Sequence, residues 1–341
     1  MTGSTSYRDA GVDLDAADAV VQRIKPAVTG TWHDGVVGGF GGFAAGITIP
    51  AGYDNPVLMM STDGVGTKAE IARRAGKFEG LGWDLVAMCI DDLVAAGARP
   101  IAMTDYVAVG QIDIDMVSTI VTSIAAACAE AGVALLGGET AEHPGVMDAD
   151  AFDVAGAALG VVEHGREIDG SRVRPGNVVI GIESPNLRSN GFSLVRKVVL
   201  DSLDLDDELP GTGRAVADVL LEPSLIYTPA VLALINATEV RSAAHVTGGG
   251  LPGNVPRVLP DDCDALIDTS TWEPPPVFRA IAELSGGHVD DLYRTFNMGI
   301  GFVAIVATDA AQTAINTLAG NGRRARVIGE VVSGTGAAIL H

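Results

Sequence analysis

Short runs rich in Val, Ile and Leu alternate along the chain with longer stretches whose apolar residues repeat every three or four positions. The first kind suits buried strands, and the second suits helices with one face toward a core. Strands are expected over residues 57–61, 101–109, 133–136 and 154–162. Helices are expected over 85–96 and around Met116, Ile120, Ile124 and Cys128. The first helix stops at Gly97 with Pro100 beyond, and the second ends near Gly132. Residues 163–176 are polar and turn-rich, and they divide the chain into domains over 1–165 and 166–341. A second series follows, with strands over 178–182, 265–267, 300–307 and 325–332 and helices over 192–200, 225–235 and 310–318. Pro274, Pro275 and Pro276 break the chain before one more helix. Strand and helix alternate in both halves, which predicts two α/β layers.

Composition narrows the function classes. The 341 residues leave room for two domains, and 48% hydrophobic content is ample for their cores. The net charge is −21, and no run of Lys or Arg appears. Binding to nucleic acid or an anionic membrane is therefore not expected. So acidic a chain repels a nucleoside triphosphate at long range, and binding one requires divalent cations and well-placed backbone N–H groups. The three cysteines, Cys89, Cys128 and Cys263, have no short spacing. That argues against a disulfide framework or a thiolate zinc site and for a reducing compartment. Residues 1–18 carry no secretory pattern, and the longest apolar run, 298–307, is too short to span a bilayer. A cytoplasmic protein is expected.

The densest chemistry lies in Ser61-Thr62-Asp63-Gly64-Val65-Gly66-Thr67-Lys68, directly after an apolar run. A carboxylate, a glycine turn, a hydroxyl and an ammonium are the groups that hold a magnesium ion against a polyphosphate. The stretch is not a P-loop: only one residue separates Gly64 from Gly66, and the order is Thr then Lys. Gly248-Gly249-Gly250-Leu251-Pro252-Gly253 fits the dinucleotide pattern, but its proline suits a loop better than a Rossmann crossover. A phosphate cradle is favoured there over an empty turn. Residues 38–43, with paired Phe40 and Phe43 among glycines, suit a mobile lid better than a linker. Asp91 and Asp92 are adjacent in an apolar helix, so at most one can face a site squarely. Glu139 follows the strand over 133–136, at the end where α/β proteins place ligands. Asp63, Asp92 and Glu139 form an oxygen-only candidate set for a hard cation. His143 and His245 lie in glycine-rich loops and carry modest weight; neither a Ser-His-Asp elbow nor a zinc-protease motif appears.

Taken together, these segments resemble the aminoimidazole ribonucleotide synthetase (PurM) family. The resemblance runs nearly end to end, from Ser6-Tyr7-Arg8-Asp9-Ala10-Gly11-Val12-Asp13 through residues 38–43, 61–68, 84–89 with Asp92-Leu93, and 137–145. It continues through Ser189-Asn190-Gly191-Phe192-Ser193, residues 245–250, Pro256-Arg257-Val258-Leu259-Pro260 and Arg294-Thr295-Phe296-Asn297-Met298-Gly299. It implies two α/β domains of PurM-like fold, with the N-terminal sheets of two subunits closing a barrel in a homodimer. It also implies a site between the domains that uses ATP to close the ring of formylglycinamidine ribonucleotide. Phosphorylating the formamide oxygen would give an iminophosphate, whose phosphate leaves as the amidine nitrogen attacks. Such chemistry needs positioning and charge neutralisation more than a nucleophile.

By this resemblance Asp63, Asp92 and Glu139 would hold magnesium, with potassium a further candidate cation. Lys25 and Lys68 would meet phosphates, and Arg188 and His245 would join them at the reacting groups. The implied nucleotide-facing positions are Gly41, Gly42, Asp63, Gly64, Gly66, Thr67, Gly138, Thr140, Asn190, Gly248, Gly249, Gly250 and Asn297. Three positions depart from the family pattern. Arg188 stands where relatives often have His, Asp91 where Asn is common, and Gly253 where Glu is often found. Arg cannot act as a general base at neutral pH. A thiol-bearing selenophosphate synthetase and the hydrogenase-maturation relative are disfavoured, because residues 30–50 and the C-terminus carry no Cys. A non-catalytic nucleotide-binding module on the same fold is the remaining alternative.

Overall fold

The computed structural model describes residues 11–341. The Ser6-to-Ala10 part of the first family segment lies outside the described residues. The N-terminal half runs α1 (Leu14–Gly30), a small pair β1 (Val36–Val37) and β2 (Gly46–Ile47), and β3 (Pro56–Gly64). Next come α2 (Lys68–Ala75), α3 (Leu81–Ala95), β4 (Arg99–Val109), α4 (Ile114–Ala131), β5 (Ala134–Glu142) and β6 (Phe152–Glu163). Strands β3, β6, β4 and β5 form one sheet in that order. Its inner face is covered by α3 and α4 around a core that includes Leu85, Met88, Ile120 and Ile124. Helix α4 starts at Asp113, whose carboxylate accepts the Met116 N–H at 2.9 Å, and stops at Gly132 with φ 69°. Helix α3 crosses α4 so closely that a methyl group on Gly82 would stand 2.1 Å from the Ile124 nitrogen. Helix α4 has the length and mean hydropathy of a membrane span, yet half of it is buried inside the fold, as in a core helix.

The C-terminal half runs β7 (Val178–Glu183), α5 (Phe192–Val199), the hairpin β8 (Glu208–Leu209) and β9 (Arg214–Ala215), α6 (Val216–Leu220) and α7 (Thr228–Ala237). It continues with β10 (Val240–His245), the short α8 (Gly250–Asn254), β11 (Cys263–Ile267) and α9 (Pro276–Ser285). It closes with β12 (Ile300–Val306), α10 (Ala311–Gly320), β13 (Ala325–Ser333) and β14 (Ala338–Leu340). Its sheet has the order β10-β12-β7-β13-β11-β14. Every residue of β12 is buried, because α5 and α9 cover one face of this sheet and α7 and α10 the other. A near-continuous apolar run is what a doubly covered strand requires.

Helix α3 joins the halves. Twelve of its fifteen residues are buried, because it packs on its own sheet and also against β10 and α7 of the second domain. The expectation of two α/β layers holds. Element ends moved mostly by one to four residues. The move that matters is at β5, which continues to Glu142 and so places Glu139 inside the strand rather than past its end. All three cysteines are free and buried.

Candidate active site

The end of β3 brings Asp63 to the surface, where its carboxylate accepts the Gly64 N–H at 2.7 Å. Burial of part of the side chain raises the Asp63 carboxyl above its usual range, and the nearby charge of Asp92 pushes the same way. Asp92 comes from α3. Its neighbour Asp91 is fully buried, whereas the Asp92 side chain is 45% exposed. This is the divergence expected of adjacent helical positions. Asp92 lines a cleft of about 460 Å³ between the domains, together with Ser61, His245, Asn254 and Arg257. Two roomier hollows, of about 650 and 1220 Å³, contain none of the expected site residues.

The second domain closes over this turn. The Ser189 hydroxyl donates to the Val65 carbonyl at 2.8 Å, and the hydroxyls of Thr67 and Ser193 lie 3.3 Å apart. Asn190 accepts the Gly248 N–H at 3.1 Å, which ties the turn after Gly191 to the glycine loop behind β10. Asp63, Gly64, Gly66, Thr67, Asp92, Asn190, Gly248 and Gly249 therefore belong to one region at the domain junction. A pair of carboxylates with open coordination positions fits a magnesium ion, which usually takes one or two carboxylates plus phosphates and water.

Other expected residues are placed differently. Glu139 does not join Asp63 and Asp92 within one chain. The strand register sets Asp63 opposite Gly156, Gly156 opposite Asp105, and Asp105 opposite Gly138. Gly138 and Asp63 thus lie at opposite edges of the sheet, about 14 Å apart at the usual strand spacing. Glu139, one residue on, points to the other face. Among the described residues no group of three or more His, Cys, Asp or Glu side chains is assembled to hold a metal. Gly138, Glu139 and Thr140 lie on β5, against which α1 packs. Lys25 of α1 stands 5.8 Å over the ring of Phe40 in the glycine loop that holds Gly41 and Gly42. These residues form a second group.

Lys68 is not a free phosphate ligand in this structure. It is fully buried, its ammonium 2.6 Å from Asp84, and it donates to the carbonyls of Glu222 (2.9 Å) and Arg188 (3.2 Å). Burial pushes the ammonium down and the Asp84 carboxyl up, and each charge draws the other back. The other Asp84 oxygen accepts the N–H of Ser224 at 3.0 Å and its hydroxyl at 2.5 Å. Asn297 is also internal: its amide donates to the Asn186 carbonyl and its oxygen accepts the Gly299 N–H. Gly250 is buried where a methyl group would stand 2.1 Å from the Tyr293 carbonyl oxygen, so packing demands glycine there. Phosphate approach is left to Gly248 and Gly249.

Arg188 and His245 do meet, but in the interior. The Arg188 guanidinium lies 2.9 Å from Asp91, 3.0 Å from His245 Nε2 and 4.6 Å over the Tyr227 ring. The other Asp91 oxygen accepts the N–H groups of Tyr227 and Thr228, both at 2.9 Å. It thereby caps α7 from another domain, where α7 has no side-chain cap of its own. Sequence reasoning gave no role to Asp84, Ser224 and Tyr227. The available signal was the seven-residue spacing of Asp84 and Asp91, which puts two carboxylates on one face of an apolar helix.

Comparison with known proteins bears on the family and the fold. The model described as "AIR synthase related protein, N-terminal domain" matches residues 43–162, and the corresponding C-terminal domain matches 174–341. The phosphoribosylformylglycinamidine cyclo-ligase of Myxococcus xanthus is 46% identical over 98% of both chains. That of Sorangium cellulosum is 46% identical over 97% of this chain and 96% of its own. Among solved structures, thiamine-monophosphate kinase from Stenotrophomonas maltophilia has a TM-score of 0.69 at 19% identity, covering 94% of this chain and 95% of its own. Hydrogenase maturation protein HypE in complex with ATP has a TM-score of 0.67 at 20% identity, covering 99% and 92%. Those two establish the fold, and the match across both halves establishes the lineage: the chain belongs to the AIR synthase related protein family.

Proposed function

We infer that the chain is a ligase of purine biosynthesis that performs the cyclo-ligase reaction named for its two bacterial relatives. Formylglycinamidine ribonucleotide and ATP would give aminoimidazole ribonucleotide, ADP and phosphate. The formamide oxygen takes the γ-phosphoryl group of ATP, the amidine nitrogen then attacks the formyl carbon, and phosphate carries the oxygen away with loss of one proton. The observation that carries this reading to particular residues is that Asp92 lines the interdomain cleft within electrostatic range of Asp63, with the Gly248 loop tied to Asn190 at the same domain junction. Magnesium held by those carboxylates would neutralise the transferring phosphoryl group. Potassium is a further candidate cation. A homodimer is supported by the outer face of the N-terminal sheet, which leaves Leu58, Met60 and Tyr106 exposed by 50%, 75% and 42%. A domain boundary at 165/166 is supported by the end of β6 at Glu163 and the start of β7 at Val178. A cytoplasmic setting is supported by three buried cysteines that are free rather than paired.

The test is turnover. Purified protein given ATP, magnesium and formylglycinamidine ribonucleotide is expected to release phosphate and aminoimidazole ribonucleotide in equal amounts. Phosphate release without the imidazole, or no release, would sink the reading.

A further inference from the structure

Four side chains form an unbroken polar line from the interior to the cleft. The Asp91 Oδ2 atom accepts from Arg188 Nη2 at 2.9 Å. The same Nη2 lies 3.0 Å from His245 Nε2, and His245 Nδ1 lies 2.8 Å from Asp92 Oδ1. Asp91 and Arg188 are fully buried, the His245 side chain is 2% exposed, and Asp92 alone is open.

Hydrogen-bond direction along this line is forced. A guanidinium can only donate, so His245 Nε2 must accept, and the ring hydrogen must sit on Nδ1 and point at Asp92. Arg188 is itself held from two further sides. Its Nη1 donates to the Leu225 carbonyl at 2.9 Å, and its guanidinium lies over the Tyr227 ring; its backbone takes a left-handed φ of 58°. A non-glycine residue adopts that conformation only where its surroundings over-determine it.

We propose that Arg188 and Asp91 are positioning residues for Asp92, acting through the tautomer of His245. The proposal rests on the reading of Asp92 as a cation-holding carboxylate. It also gives a physical reason for two departures from the family pattern. Asp91 and Arg188 are the two halves of one buried ion pair, so neither makes sense alone. The imidazole then plays the part of an outer-shell histidine that aims a carboxylate, rather than of a base that takes a substrate proton.

The experiment combines two readouts. Long-range proton–nitrogen spectra of protein labelled with nitrogen-15 in its histidines report the His245 tautomer without any ligand, with His245→Gln assigning the signal. Steady-state turnover reports the apparent magnesium constant. Wild-type protein is expected to show hydrogen on Nδ1. Arg188→Met is expected to give a mixture of tautomers and to raise the magnesium constant by roughly 10- to 100-fold. Arg188→Lys, which can also only donate, is expected to restore the Nδ1 form. Leu318→Ala, a core deletion in α10 that removes no member of the polar line, controls for lost stability and is expected to move neither readout. Should Arg188→Met not fold, the double variant Arg188→Met/Asp91→Asn, which leaves no unpaired buried charge, takes its place with the same expectations. An unchanged Nδ1 signature in the Met variant, or a magnesium shift no larger than that of Leu318→Ala, overturns the proposal. Wild-type protein that lacks turnover but shows the Nδ1 form would sink the cyclo-ligase reading and leave the polar line intact.

Discussion

Asp105 offers a prediction whose size follows from its surroundings. It lies in the middle of β4 and is 8% exposed, and no cation is paired with it among the described residues. Burial pushes its carboxyl up to about 7, against an ordinary value of 3.8. At about 1.4 kcal/mol per unit, a carboxylate ionised there costs the fold about 4 kcal/mol. The sign follows from linkage. Below the ordinary value both folded and unfolded chains hold the proton, and the cost is absent. Between about pH 4 and pH 7 the unfolded chain ionises while the folded one does not, so this group's contribution to stability falls; above about pH 7 the loss is complete. Asp105→Asn keeps the shape and removes the ionisation. Relative to wild type, the variant should gain about 1–2 kcal/mol at about pH 5 and approach 4 kcal/mol at about pH 8.5, less whatever its amide loses in hydrogen bonding. Urea unfolding of both proteins at the two pH values measures this, and their difference cancels every other titrating group. A difference that does not grow with pH would refute the reasoning.

Three further outcomes are expected. Lys68→Met leaves Asp84 buried without its cation and should cost about 3–5 kcal/mol in denaturant unfolding, whereas breaking the solvent-screened pair Lys77–Asp218 by Lys77→Met should leave the unfolding midpoint nearly unchanged. Equal losses would mean that Lys68 is not held as described. Gly82→Ala forces a methyl group into the backbone of α4 and should lower the melting temperature by several degrees, about 1–3 kcal/mol or more; an unchanged melting temperature would contradict the close crossing. Asp63→Asn removes a carboxylate that repels Asp92, so it should leave stability unchanged or raised while increasing the magnesium needed for turnover; a destabilised fold with an unaltered magnesium requirement would count against the cation role.

The fold was legible because its signals are local. Apolar period and glycine or proline stops mark most of the long strands and helices, although α1, α2 and β10 were not anticipated. The site was legible only in part, because the meaning of a charged residue depends on what the fold lays over it. Asp63-Gly64 and Thr67-Lys68 read as one phosphate-binding turn. The chain then carries Lys68 beneath the Glu222 carbonyl, and α3 supplies Asp84 from the other side. Nothing within the eight residues could announce those partners. Glu139 was misplaced for a different reason. Gly137 and Gly138 carry no side chains to continue the two-residue period, so β5 seemed to end early, and Glu139 acquired a strand-end position it does not have. The departures at positions 91 and 188 show the same limit from the opposite direction. Read singly along the chain, each weakens the transfer of a family role to its own position. Brought to 2.9 Å, they are the two halves of one buried ion pair. The pair is tolerable because Asp91 also takes the N–H groups at the start of α7 and Arg188 also takes a carbonyl and a ring face. A family residue restored at one of the two positions would therefore fail, and restoring both is the change that the buried charges allow.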